Sequence, residues 1–384
     1  MILRYGGCNF FCFKEDFEVD LRLNNNCPDD ISRGKNCSQI MCVKGANASG
    51  KTTALKALAL TAFFISNSFH EKTNRKSTIE TYFSNSEPTV LYVEFRIDGL
   101  DYRYDLTIEN GVVLIEKLTR ISGKNVVLFS RVGTKLESTM EDYSELETIP
   151  QIRSDASLIS IASQHEMKCI RNMHNLFDWG VQSNVNDKGF NEFIDTKGLS
   201  KFYGENNDLL DFMKNQLARL DTGIVDVEIS SLENDAGELI YFPLFSFEID
   251  GEIKKLRLHS QSSGTKRLYK ILVYFYIIIK HSDKMPFSSV LIMDELDLHL
   301  HSRITPELIK LIEREKNTQL LFTCQNDQII DEMGKYRTIL VNKSENESYS
   351  YRLDELPSDL LRNGRPITPH YKKGAIGGVP NIGK

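Results

Sequence analysis

The sequence predicts an α/β fold, a mixed sheet with an antiparallel β layer and a helical insertion, and three observations carry that reading. First, "SQIMCVKGANASGKTTALKALALTAFFI" runs from strand (40–43) through a glycine-rich turn to helix (54–65). Second, residues 88–121 alternate apolar and polar positions around two turn signals, Asp98-Gly99 and Glu109-Asn110-Gly111, the pattern of antiparallel hairpins. Third, from about residue 155 to 222 the period becomes helical: Leu209, Met213, Leu217 and Leu220 fall on one face, and Gly223 ends the run.

The remaining elements follow in order. The opening "MILRYGGCNFFCFKEDFEVDL" alternates as strands of a half-buried sheet do. Strand patterns return over 224–257, followed by a helix at 267–280, a strand at 288–293 and a helix at about 302–315. Two further strands are read in "QLLFTC" and "RTILVNK". The chain is therefore divided into an N-terminal lobe (1–150), a helical insertion (151–223), a C-terminal lobe (224–350) and a basic tail (351–384).

Composition limits the function classes. At 384 residues with 41% hydrophobic and 26% charged positions, the chain is of ordinary globular make-up. A net charge of −6 excludes a generic polycation that coats nucleic acid, while leaving room for a local basic path. Arg362, Arg365, Lys372, Lys373 and Lys384 form one, with no acidic side chain among them. Seven cysteines without paired C-x-x-C spacing fit reduced, mostly buried thiols. No signal-peptide pattern opens the chain, and the apolar run 271–279 is too short to span a bilayer; a cytoplasmic protein without membrane contact is expected.

Gly45-x-x-x-x-Gly50-Lys51-Thr52 is a full P-loop match in the strand–turn–helix context that the chemistry needs. Its glycines let backbone N–H groups turn toward phosphate, Lys51 reaches the terminal phosphates, and the Thr52 hydroxyl suits Mg²⁺. Asn47, Ser49 and Thr53 complete the candidate ATP-binding set. In "SSVLIMDELDLHLH" a doubly buried strand ends in Asp294, a candidate Mg²⁺ group, and Glu295, a candidate to activate the attacking water. His299 and His301 stand at H-x-H spacing without a third ligand and read as structural. Asp155, Glu166 and Lys168 match the loose D-x10-E-x-K spacing of a nuclease, a pattern with too few fixed letters to carry that chemistry.

With these motifs the chain resembles ABC-type P-loop ATPases of the overcoming-lysogenization-defect (OLD) class, with an ABC/SMC-like head. It resembles in particular the compact members in abortive-infection and anti-phage operons, of which the ATPase subunit of the PARIS system is one. The resemblance rests on the P-loop, "SQSSGTKRL", "VLIMDELDLHLH", "QLLFTCQND" and the closing "YKKGAIGGVPNI". It implies that Ser262, Ser263 and Gly264 form a signature turn, with Lys266 and Arg267 adding charge, for the nucleotide of a second subunit. A homodimer or higher homo-oligomer sandwiching ATP is expected, with Gln325 in the catalytic place where relatives carry histidine. Gln164 is assigned as the glutamine that senses Mg²⁺. Only a short basic tail follows "RTILVNK", so a separate effector, a nuclease or toxin from the same operon, is expected, with a phage protein as trigger. The alternative is a DNA-maintenance or repair ATPase that clamps DNA.

Overall fold

In the computed structural model, which describes residues 1–72, 78–121, 123–190, 195–220, 222–235, 237–281, 284–357 and 360–380, the chain opens with β1 (Ile2–Cys8) and β2 (Phe17–Asp20). A short α1 (Asp29–Ser32) leads to β3 (Ile40–Lys44), buried along its whole length, and to α2 (Lys51–Asn67). The alternating segment 88–121 makes β4 (Thr89–Ile97), β5 (Leu100–Glu109) and β6 (Val112–Ile121), and two strands not assigned from the sequence follow, β7 (Val126–Val132) and β8 (Lys135–Thr139). With β1 and β2 these build a seven-stranded antiparallel layer, ordered β2-β1-β4-β5-β6-β7-β8.

Helices α3 (Leu158–Gln164) and α4 (Arg171–Asp178) follow, then three short strands, β9 (Val181–Ser183), β10 (Val185–Asn186) and β11 (Gly189–Phe190). Helices α5 (Thr196–Glu205) and α6 (Asn207–Arg219) complete the stretch read as helical. That reading needs one change, because β9 pairs in parallel with a core strand. Three residues at a sheet edge are too few to show a period of two.

A meander of β12 (Asp226–Glu233), β13 (Leu239–Ile249) and β14 (Glu252–Arg257) precedes the long α7 (Ser263–His281). The chain finishes with β15 (Ser289–Met293), α8 (Ile304–Glu313), β16 (Thr318–Thr323), α9 (Ile329–Met333), β17 (Thr338–Ser344), β18 (Glu347–Arg352) and α10 (Thr368–Lys372). The central sheet runs β18-β17-β3-β16-β15-β9, with every neighbour parallel except the β17–β18 hairpin. The α/β class with an added antiparallel layer is the observed one.

Side chains alternate across a strand, so the central sheet serves two cores. Met41, Val43, Val290, Ile292 and Leu321 join α2, α3, α4 and the antiparallel layer. Ile40, Cys42, Leu291, Met293, Leu320 and Phe322 join α5 to α8. A smaller third core holds Ile330, Leu340 and Leu353 under Leu361, Ile367, Tyr371 and Ile376 of the C-terminal segment. Among the described residues the basic tail is thus folded back onto the sheet; Lys384, Asn381 and Ile382 lie outside them. None of the described helices is long and apolar enough to cross a membrane.

Candidate functional site

The loop between β3 and α2 is shaped by what its glycines cannot carry. Gly50 has φ +107, and a Cβ there would sit 2.8 Å from Cys12 Sγ and 2.9 Å from Ser348 Oγ. A Cβ at Gly45 would strike the Val341 carbonyl. No side chain caps α2, so its first-turn N–H groups and the positive end of its dipole face outward, as an anion site requires. Lys51 Nζ donates to Gly45 O and Ala46 O at 2.9 Å each. Burial lowers its pKa, and the nearby Asp294 and Glu295 carboxylates oppose that shift. Asn47 is exposed on the loop, Thr53 is half-buried in the first helical turn, and Ser49 is buried with its hydroxyl unpartnered among the described residues.

Asp294 emerges from β15 into this loop. Its carboxylate is buried, 2% exposed, and Oδ2 accepts from Thr52 Oγ1 at 2.7 Å. A hydroxyl and a carboxylate in contact are the hard oxygen pair that Mg²⁺ takes, so Thr52 and Asp294 fit the ion. The other oxygen, Oδ1, accepts from Thr323 Oγ1 at 2.5 Å, and the same hydroxyl accepts from Glu295 N at 2.8 Å. Thr323 lies at the end of β16, the strand between β3 and β15, so it links the two motifs. Glu295 has φ +49, a sparsely populated conformation for a residue with a side chain. Its carbonyl accepts from Arg267 Nη2 at 3.0 Å. The strained turn is therefore tied at both its amide and its carbonyl.

Gln325 is exposed just past β16, and its N–H donates to both Asp297 oxygens at 2.9 Å. Asn326 N donates to Asp297 at 2.7 Å, so one carboxylate orients the segment. The sequence singles out neither Asp297 nor Thr323; each is one of several polar residues in its motif, with nothing local to tell it apart.

Gln164 is a correction. It ends α3, and its Nε2 lies 2.9 Å from His70 Nε2, beyond the C-terminal end of α2. With 17 residues in α2, that is about 25 Å of helix away from Thr52. The segment beside Asp294 is instead the one after β9: Asn184 Oδ1 accepts from Asp294 N at 2.7 Å, and its Nδ2 donates to Asp294 O at 3.0 Å. The β10–β11 hairpin closes the same side, since a Cβ on Gly189 would be 3.7 Å from Thr52 Cγ2.

At the start of α7, Ser262 Oγ accepts from Thr265 N at 3.1 Å, an ordinary cap, while Ser262 and Ser263 remain exposed. Gly264 lies against the loop after β15, where a Cβ would be 3.0 Å from His299 O. Arg267 is buried, 3% exposed, with its guanidinium 5.1 Å from the Phe190 ring and bonded to Glu295 O. It braces its own chain and is not charge offered to a second subunit, as the resemblance implied; Lys266 Nζ donates to His259 O at 2.8 Å. The nuclease-like spacing gathers no site: Asp155 is paired with Arg153 at 2.8 Å. No group of three or more His, Cys, Asp or Glu able to hold a metal occurs among the described residues, His299 and His301 included.

A family model described as "AAA domain, putative AbiEii toxin, Type IV TA system" matches residues 40–331, more than half of the chain. That span includes the P-loop, the α7 turn, Asp294, Glu295 and Gln325. No curated protein matches. Among solved structures, the Smc head bound to the C-winged helix domain of ScpA is similar at 14% identity, over 92% of this chain and 99% of that one, with a TM-score of 0.49. The SMC head domain from Thermotoga maritima is 11% identical over 91% and 98%, with a TM-score of 0.44. The Smc head with an extended coiled coil bound to the C-terminal domain of ScpA, derived from Pyrococcus furiosus, is 12% identical over 92% and 97%, also at 0.44.

Proposed function

This chain belongs to that AAA-domain family, and we propose that it binds and hydrolyses ATP and, as a nucleotide-bridged dimer, regulates an effector in bacterial anti-phage defence. The observation that carries the ATPase part is the Thr52–Asp294 contact, which brings the end of the P-loop to the end of β15 with Glu295 next in line. Gly45 to Thr53 would wrap the phosphates, with Asn47 and Ser49 along the loop. Thr52 and Asp294 would hold Mg²⁺, which supplies charge neutralisation on the triphosphate when bound. Lys51 exchanges its loop carbonyls for terminal phosphate oxygens, to which its ammonium is a far better match. Glu295 then draws the proton of the attacking water, from a backbone position set by Thr323 and Arg267. Gln325 offers an amide donor to the terminal phosphate and carries no charge at any pH.

The dimer part is supported by the start of α7, a 19-residue helix whose first turn leaves Ser262 and Ser263 exposed to solvent, where a second subunit's phosphates could reach its N-terminal end. The defence role is supported by the toxin–antitoxin description of the family, and by the resemblance of the motifs to those of OLD-class ATPases. A chain of this class that instead clamps DNA would show salt-dependent DNA affinity and DNA-stimulated turnover.

One set of measurements tests the reading: ATP turnover and light-scattering mass for wild type, Lys51→Ala, Glu295→Gln and Gly264→Val. Lys51→Ala should abolish turnover and assembly, and Glu295→Gln should slow turnover on the order of 100-fold while accumulating the dimer. Gly264→Val should bind ATP as a monomer. Wild-type turnover no faster than that of Lys51→Ala removes the enzyme claim, and a Gly264→Val dimer removes the sandwich.

A further inference from the structure

The segment that presents Gln325 is gripped from two sides. From one side Asp297 takes the Gln325 and Asn326 amides. From the other comes Lys44, the last residue of β3 and immediate neighbour of Gly45, buried to 2% exposure. Its Nζ donates to the carbonyls of Cys324 and Gln325 at 3.1 Å each and of Asn326 at 3.3 Å, and lies 3.4 Å from Asp327 Oδ1. A lysine is among the least often buried residues, and an unpaired buried ammonium is strongly unfavourable. Here three consecutive backbone oxygens and a carboxylate satisfy it, and all of them belong to the one short segment that follows β16. A Leu or Val at this place would complete the apolar strand and take the ammonium donor away from all three carbonyls.

We infer that Lys44 is a positioning residue: it locks the backbone carrying Gln325 to the strand that feeds the phosphate loop, so that both flanks of the terminal phosphate move as one body. This rests on the ATPase reading above. The lock also reaches the C-terminal segment. The Tyr371 ring centroid is 5.6 Å from Lys44 Nζ, and Thr368 Oγ1 donates to Asp327 O at 3.2 Å. Asp331, on α9 a few residues past Asp327, accepts from the backbone N–H of Ile367 and of Thr368, the latter at 2.9 Å. A shift of the 324–327 backbone is therefore handed to α10.

Lys44→Met keeps an unbranched side chain, one atom shorter, and removes its donors. The test compares it with wild type in three readouts: affinity for a fluorescent ATP analogue, kcat and KM for ATP, and hydrogen exchange of residues 324–327. Because the lock orients the segment without building the phosphate loop, affinity should stay within about threefold while kcat falls on the order of 100-fold. Exchange across 324–327 should quicken by about tenfold or more without nucleotide, reporting the loosened segment directly. Unchanged kcat together with unchanged exchange overturns the inference, as does a loss confined to KM. If Lys44→Met does not fold, Asp297→Asn loosens the same segment from the opposite side by replacing an acceptor oxygen with a donor. The same kcat-selective loss and faster exchange are then expected, and wild-type values in both overturn the inference. Absence of wild-type turnover sinks the ATPase reading alone, and exchange then decides for or against Lys44.

Discussion

At the scale of single residues, Thr323 ties the two candidate carboxylate residues of the site together. Its hydroxyl donates to Asp294 and accepts from Glu295 N, fixing one carboxylate's orientation and the other's backbone with one oxygen. Thr323→Val is nearly the same size yet leaves a buried carboxylate oxygen and a buried amide unpaired, which costs roughly 1–3 kcal/mol. Chemical unfolding should register that loss, and turnover should fall with it, because Glu295 is released from its φ +49 turn. Thr323→Ser, which keeps the hydroxyl, should recover both; a Thr323→Val protein with full turnover would remove Thr323 from the site. The residues legible in the sequence, Gly45 to Thr52 and Asp294 with Glu295, are those whose geometry is local: a turn, a helix start, the end of a strand. Gln164 fails as an assignment because nothing local tells which glutamine a distant fold brings to Thr52. Asn184 holds the neighbouring place through a pairing between β9 and β15 that spans more than a hundred residues.

At the scale of elements, the antiparallel layer is joined to the helical face by a fully buried ion pair. Arg131 of β7 meets Glu116 of β6 at 2.6 Å, and both side chains are 0% exposed. Glu116 also accepts from Tyr104 Oη, from Ser157 Oγ and from Leu158 N at the start of α3. Arg131 donates further to the carbonyls of Gly133, Arg153 and Ala156. Desolvation makes such a pair weak evidence for net stability, but breaking it strands a charge. Arg131→Met should therefore lower unfolding stability by about 3–5 kcal/mol, and removing Glu116 as well, as Glu116→Leu, should return part of it. If Arg131→Met alone stayed within about 1 kcal/mol of wild type, a margin well under that of a broken buried pair, the layer would not depend on this joint. Alternating hydrophobicity makes the β4–β5 and β5–β6 hairpins readable from residues 88–121 alone. The pair inside it is not readable, since Arg and Glu at such spacing are ordinarily a solvated surface couple.

At the scale of the whole molecule, the central sheet separates two cores, and a third closes over the end of β17. In the sequence the last thirty residues read as a basic appendage because charge is conspicuous and sparse apolar residues are not. Yet Leu361, Ile367, Tyr371 and Ile376 are buried against Ile330, Leu340 and Leu353. Tyr371 Oη donates to Gly378 O at 2.8 Å, and Gly378 N is taken by Asn342 of β17. Arg362, Arg365, Lys372 and Lys373 are all exposed to solvent. Packing and charge can therefore be separated by two variants. Ending the chain after residue 360 uncovers apolar surface, each buried side chain being worth roughly 1.5–3 kcal/mol before the tail's ordering entropy is set against it. That variant should melt several degrees lower and lose turnover, because Asp327 and Asp331 lose their partners beside the Gln325 segment. Replacing the four basic residues by glutamine should leave melting and basal turnover at wild-type values, since these side chains are exposed to solvent. Equal melting temperatures for the shortened and complete chains would mean that the third core contributes nothing, and that the tail is the solvated segment its charge suggests.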